Sequence, residues 1–254
     1  MYNKFFTVEK ELTIAASVQN AGAFASGNLM VDWTAIEIPK GTSCLRSATV
    51  MIRPKGDASP TINIFAFDLV FSKTNTVSLG TPRAAVVNRP SNDFIGQLEF
   101  DTATFGSTAF NSTALATTDH NNGGGTVPQI LQGDPTTGSN VGYDTIYVGM
   151  IARGNFTFES INAIAEAGAA DAASTQVITM DGSSMDVREH FAAGDIVHIG
   201  TSTGTPAADS LIGTIATADS ATQITLTDVS PTALVDGDVL FNINPVKIVL
   251  GFEK

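Results

Sequence analysis

Cysteine occurs once, at Cys44, so the chain forms no intrachain disulfide and its stability must come from packing or association. A free thiol behaves as a small apolar side chain, and Cys44 is expected to be buried. Charge is scarce. Charged residues make up 15% of the sequence, and bases are the rarer sign, with 13 Lys and Arg against 25 Asp and Glu. The net charge of −12 leaves no basic stripe to lay against phosphates, which argues against nucleic-acid binding. Long apolar runs are also missing, so no span of about 20 residues offers a membrane helix. The opening MYNKFFTVEKEL has no secretory apolar stretch, and the expectation is synthesis and retention in a cytosol until assembly.

Catalytic signatures are equally sparse. The sequence contains no G-x-S-x-G, no Walker-type loop, no G-x-G-x-x-G after a strand and no H-E-x-x-H. Three histidines exist, His120, His190 and His198, and the last two are separated by a Gly-Asp turn rather than by metal-ligand spacing. Asp236-Gly237-Asp238 resembles a fragment of a calcium loop, but the remaining ligands of the twelve-residue pattern are absent. A Gly-Asp turn that aims the following strand explains it better. The triplets at Asn111 and Asn155 match a glycosylation acceptor but carry no weight without a secretory signal. No catalytic residue, metal site or cofactor is therefore expected. Trp33, Tyr143 and Tyr147 stand near polar loop residues as a sugar site would require, yet all three lie in or beside strand patterns, where core packing is the simpler use.

What the chain does contain is short uncharged polar residues, chiefly Thr, Ser, Ala, Gly and Asn, alongside 43% hydrophobic residues. That mixture suits solvent-facing strands and turns around a folded core, and an all-β protein is the natural reading. Phe6, Val8, Leu12, Ile14, Ala16 and Val18 alternate with polar neighbours over positions 6 to 18, a half-buried strand interrupted only by Lys10. Further strands are expected at Leu29–Ile38, Ala48–Ile52, Ile62–Phe71, Phe94–Phe100, Thr145–Ala152 and Asn155–Phe158. Ile62–Phe71 and Thr145–Ala152 are apolar on both faces, as in strands sandwiched between layers. Val246, Ile248, Leu250 and Phe252 alternate again after Pro245, and that strand needs a partner. Two long polar connections, Ser72–Asn92 and Phe105–Gly142, are candidate contact arms. Within the second, the DHNNGGG run places Asp119, Asn121 and Asn122 as contact residues, although a Gly triplet also marks a merely loose loop. At the start of the chain, Tyr2 and Phe5 are contact candidates on a segment that adds a strand to a neighbour or serves as a first strand at home.

Negative charge is concentrated in residues 166–245, which carry eleven acidic side chains against one base, Arg188. The same stretch holds a degenerate repeat. Thr175–Asp181 leads to Gly194-Asp195-Ile196-Val197, and Thr222–Asp228 leads to Gly237-Asp238-Val239-Leu240. The first copy has four extra residues around Val187–Phe191, enough for one helical turn. Five or six short strands here predict a small acidic β-barrel. Because only a short alternating strand follows, the predicted organisation is an antiparallel, jelly-roll-like β-sandwich of residues 1–162 plus 246–254, with an inserted barrel at 166–245.

Taken together, the Ala/Thr/Gly/Asn-rich strands, the ending NPVKIVLGFEK, and the segments FAAGDIVHIG (Phe191–Gly200) and LIGTIATADSATQITL (Leu211–Leu226) resemble the small β-rich structural proteins of tailed-bacteriophage virions, particularly capsid decoration or cement proteins. No invariant motif carries the likeness, and the chain does not resemble the phage major capsid fold, since no amphipathic helix of about 20 residues can be placed. The resemblance implies a non-enzymatic protein on the outer capsid surface, bound to the major capsid protein and self-associating, often as a trimer at a symmetry axis, after synthesis in the host cytoplasm. Alternatives are a tail, neck or fibre component, a carbohydrate-binding attachment module, and a hydrolase using acids such as Asp238.

Overall fold

Alternation with a period of two fixes which side of each strand turns inward, and the chain's last strand shows this most simply. A computed structural model describes residues 4–53, 64–106, 114–118, 127–135, 143–158, 161–162, 176–180, 186–201, 207–234 and 238–254. In it Val246, Ile248, Leu250 and Phe252 are all fully buried on β17 (Val246–Glu253), while the residues between them are half-buried. This strand runs antiparallel between β1 (Phe5–Leu12) and β3 (Ser43–Ile52). The first sheet is completed by β7 (Ala114–Thr117) beside β3, β6 (Phe105–Gly106) beside β7, and β8 (Gln129–Leu131) on the other half of β3.

The second sheet has the order β2 (Leu29–Pro39), β10 (Tyr143–Ala152), β4 (Phe67–Ser72), β5 (Phe94–Phe100), with β9 (Asp134–Pro135) capping one end of β10. Inward-facing Ile36, Ile38, Phe67, Leu69, Phe71, Leu98, Phe100, Ile146 and Val148 meet Leu45, Val50, Ile52 and the β17 side chains in one continuous core. The all-β, sandwich-like architecture therefore follows from two sheets that each hide one apolar face in the other.

Several strand expectations shift in register or extent. The alternation over positions 6 to 18 ends as a strand at Leu12, and Ala16–Asn20 is a short helix, α1. The reason is a buried amide: Gln19, 2% exposed, donates to the carbonyls of Ile14 (2.7 Å) and Asn242 (2.8 Å), which holds a turn against the chain's later half. Ile62–Phe71 becomes strand only from Phe67, and residues 62–63 lie outside the described set. Asn155–Phe158 forms no strand. A single bridge joins Phe156 to Phe24, and Phe65, Phe156 and Phe158 plug the end of the sandwich with mutually packed rings. Cys44 is half-buried rather than buried, because neighbouring Leu45 takes the core position and turns the thiol to the outer face of β3.

Residues 161–242 build a third sheet in the order β11 (Ile161–Asn162), β16 (Val239–Asn242), β13 (Ile196–Thr201), β14 (Leu211–Ala218), β15 (Gln223–Leu226), β12 (Val177–Thr179). It surrounds its own core, including Ile178, Val187, Val197, Ile199, Ile212, Ile224 and Leu240. The expected closed barrel is not formed: among the described residues no ladder joins β11 to β12, and the two-residue β11 is too short to seal the gap. The four extra residues of the first repeat copy supply α2 (Val187–His190), whose N-cap Asp186 accepts from the Arg188 N–H at 3.0 Å.

The two repeat copies pair with each other twice. β12 meets β15 with Val177 opposite Thr225 and Ile178 opposite Ile224, a register that maps onto itself when the copies are exchanged. β13 meets β16 in the same manner, with Val197 opposite Asn242, Ile199 opposite Leu240, and His198 facing Phe241 at the centre of exchange. Sequence repetition thus appears as a local two-fold relation within the sheet. The recurring Gly-Asp is structural. Gly194 adopts φ +94°, a region costly for other residues, and Asp195 accepts from the Ala192 N–H at 2.8 Å. Asp195 and its counterpart Asp238 are 4% and 0% exposed, so these two acids do not belong to a solvent-facing surface.

Polar and aromatic contacts fasten this third sheet to the sandwich. Arg53, just past β3, places Nη2 2.7 Å from Asp195 Oδ1, and its backbone N–H donates to the Pro245 carbonyl. The Ser17 N–H donates to Asp209 at 2.8 Å. Phe241 belongs to the sandwich core while adjacent Leu240 belongs to the core of the third sheet, so one strand serves both. Gly200 is required there, since any Cβ would overlap the Phe241 ring and crowd Asn20.

Candidate functional site

The outer face of the second sheet carries a concavity, and it is there because part of that face is covered by the chain's own loop and part is not. The connection Ser72–Asn92, expected as a contact arm, packs over its own sheet. Leu79 and Val86 pack with Leu29, Val70, Trp33 and Ile151, and Leu29 exchanges backbone hydrogen bonds with Arg83 and Ala84. Trp33 Nε1 donates to the Val77 carbonyl at 3.0 Å and to Asn92 Oδ1 at 3.1 Å, which commits the indole to packing this loop.

Beyond the loop the face opens into a cleft of about 880 Å³ lined by Ser26, Gly27, Asp68, Val70, Phe94, Gly96, Gln97, Ile151, Ala152 and Arg153. Cross-strand register brings the groups together, with Ile151 opposite Asp68 and Asp68 opposite Glu99. Arg153 lies among three carboxylates: Nε is 3.6 Å from Asp68, and Nη1 is 3.1 Å from Glu99 and 2.9 Å from Asp101. Burial pushes the Asp68 carboxyl up to about 6 against the opposing pull of Arg153, while Glu99 and Asp101 add to the rise and a hydrogen bond from Gln97 works against it. Asp68 Oδ1 is fully enclosed and accepts no hydrogen bond from the described residues. Phe94, 40% exposed and tilted against Trp33 at 5.7 Å between ring centroids, forms an apolar wall.

A second concavity, about 930 Å³, lies between β1 and β2 and is lined by residues 6–10, Ala35, Ile36, Glu37, Pro39 and Tyr143. Each of these strands has one long ladder partner among the described residues, β17 for β1 and β10 for β2, so two open sheet edges border the same groove. Phe5 begins β1 and is 72% exposed at the end of that edge.

No family model matches the chain, and no curated protein is similar to it. Among solved structures, one similar chain is that of infectious bursal disease virus, Gx strain, at 7% identity and a TM-score of 0.15, covering 100% of this chain and 41% of that one. The chain thus spans less than half the length of that viral protein, and a similarity this faint supports no statement about fold or role.

Of the sequence-derived contact residues, Phe5 is the one the structure places, on the open edge of β1. Tyr2, Asp119, Asn121 and Asn122 lie outside the described residues. The connection Phe105–Gly142 is not one polar arm, since β6, β7, β8 and β9 are drawn from it. Trp33, Tyr143 and Tyr147 do not converge as a sugar platform: Trp33 is held under its loop, Tyr143 borders the edge groove, and Tyr147 is half-buried on β10. His190 is buried on α2, His198 Nδ1 sits 2.7 Å from the Asp209 carbonyl, and His120 is outside the described set. Among the described residues no three His, Cys, Asp or Glu side chains gather as metal ligands. Sequence reasoning missed the Asp68 cluster. Its one visible signal was an acid inside the apolar run INIFAFDLVF, where a fully enclosed strand would carry none.

Proposed function

We propose that this protein is a non-enzymatic virion structural protein that decorates and stabilises a phage capsid through subunit–subunit contacts. The observation that carries this reading is the pair of open edges on β1 and β2 bordering one groove, with Phe5 exposed at its end. An unpaired edge is a template for an added strand, and main-chain hydrogen bonds along it give affinity without a deep pocket. The partner in this reading is the major capsid protein, supplemented by self-association as a trimer, on the outer capsid surface. Exposed acids of the third sheet, among them Glu189, Asp219 and Asp228, would face outward and keep particles apart. A chain of net charge −12 is poorly suited to nucleic acid, and among the described residues no helix is long and apolar enough to cross a membrane.

The test is co-sedimentation of the purified chain with capsids that lack it, after light scattering has fixed its own oligomeric state. Binding at a constant stoichiometric ratio, with a raised particle melting temperature, is the expected result. Phe5→Asp together with Thr7→Pro, which removes the apolar end and an edge-facing N–H that does not bond to β17, should abolish it. A chain that ignores capsids but sediments with tails or fibres would overturn the capsid assignment.

A further inference from the structure

We propose that the cleft beside Asp68 and Arg153 binds a neutral saccharide. This goes beyond the assembly role and is independent of it, since the cleft lies on the outer face of the second sheet and the edge groove is lined by other residues.

A sugar ring presents an apolar C–H face and a rim of hydroxyls that each donate and accept. The cleft offers the complement of both. Ile151, partly buried, lies at its floor and Phe94, 40% exposed, forms a wall, giving the ring an apolar surface to rest on. The polar groups are of opposite kinds within one hydroxyl's reach of each other. The Asp68 and Arg153 side chains line the cleft together, 18% and 32% exposed, with Arg153 Nε 3.6 Å from Asp68 Oδ1. A hydroxyl bridging the two would donate to the carboxylate and accept from the guanidinium. The exposed Gln97 amide adds a donor and an acceptor at the rim. Gly27, around whose missing side chain the space is open, brings bare backbone to one wall, and the cleft volume of about 880 Å³ accommodates two or three sugar units.

Charge selects among ligands. Arg153 is outnumbered by Asp68, Glu99 and Asp101, so a phosphate or a sialic acid carboxylate would meet net repulsion. The site has no concentration of cation that an acidic polysaccharide needs. Carboxylate and guanidinium fixed side by side favour a ligand that is uncharged and rich in hydroxyls.

The experiment is saturation-transfer NMR and calorimetry on the full chain at pH 8, where Asp68 is ionised. The probes are maltotriose, cellotriose, lactose, mannotriose and N,N′-diacetylchitobiose, with 3′-sialyllactose and inorganic phosphate as charged counterparts. The expected result is binding of at least one neutral probe with a Kd of about 1 mM or tighter, weakened at least about fivefold by Phe94→Ala and by Gln97→Ala. Gln97 is exposed and takes no part in the Phe94–Trp33 packing, so its variant reads the site even where Phe94→Ala loosens that packing. Failure of all five neutral probes to bind, binding untouched by both substitutions, or tighter binding of a charged counterpart would each overturn the proposal.

Discussion

Removing the Arg53 side chain should destabilise the whole molecule, because it leaves the Asp195 carboxylate buried without its counter-charge. Asp195 is 4% exposed, and the Arg53 side chain 29%. Breaking one side of a buried ion pair costs about 3–5 kcal/mol. Partial access of water on the Arg53 side, and the Ala192 N–H that still supports Asp195, place Arg53→Ala nearer about 2–3 kcal/mol. At roughly 2–4 °C per kcal/mol for a chain of this size, the melting temperature should fall by about 4–12 °C. The pH dependence gives a second handle. In the folded protein burial holds the Asp195 pKa above its ordinary value even with Arg53 opposing it, so the folded state keeps its proton to higher pH than the unfolded chain. Stability attributable to this group is fullest in acid and is lost as pH rises through the raised pKa. Without Arg53 that pKa climbs further, so the deficit of the variant should be greatest near pH 8 and shrink on acidification. Adding Asp195→Asn should recover most of the loss at pH 8. Calorimetry across pH 5 to 8 reads all of this, and a melting temperature within about 2 °C of the parent at every pH would refute the reasoning.

Gly200→Ala, which drives a methyl into the Phe241 ring, should cost about 1–3 kcal/mol in urea unfolding, whereas the open position Gly154 should tolerate alanine. Phe252→Ala, at a fully buried ring stacked on Phe6, should cost about 3–5 kcal/mol by the same assay. In a carbon-detected NMR titration the Asp68 carboxyl should have its midpoint at about 6. Those of Asp186 and Asp219 should fall below the ordinary range, held down by Arg188 and by the hydroxyls of Thr217 and Thr225 respectively. Since the Asp68 pKa is raised on folding, its contribution to stability should decline as pH increases from the ordinary carboxylate range through about 6, and Asp68→Asn should flatten that slope.

Where one face of a strand alternates cleanly against one core, the sequence was a sufficient guide. Phe94–Phe100 forms a strand over the same residues that its pattern marks, and the four apolar positions of β17 are those that are buried. Alternation was misleading at Ile14, Ala16 and Val18, because a helix also places i and i+4 on one face and the buried Gln19 decided for the helix. Double-sided apolarity in Ile62–Phe71 was half informative: Val70 is covered from outside, but by a loop of the chain's own, and Asp68 is left at an open cleft. The cleft itself was not legible. Asp68, Glu99 and Arg153 come from three strands or their ends, and only the β10–β4–β5 register, a long-range property, brings them side by side. The repeat was visible as sequence, but that its copies pair with each other rather than stack in order is a fact of register alone.

The first sheet sets a clock on biosynthesis. Among the described residues β1 has one ladder partner, β17, with Phe6 opposite Phe252, so β1 leaves the ribosome without a partner until β17 has followed it. At about 5–20 residues per second that wait is roughly 12 to 50 s, during which β1 has both edges bare and its inner face, Phe6, Val8 and Leu12, uncovered. The third sheet draws on contiguous residues and can assemble within that interval, so the later module in the chain is the earlier one to fold. Conditions that slow elongation or end it early should therefore injure the sandwich first, with aggregation seeded by the waiting strand.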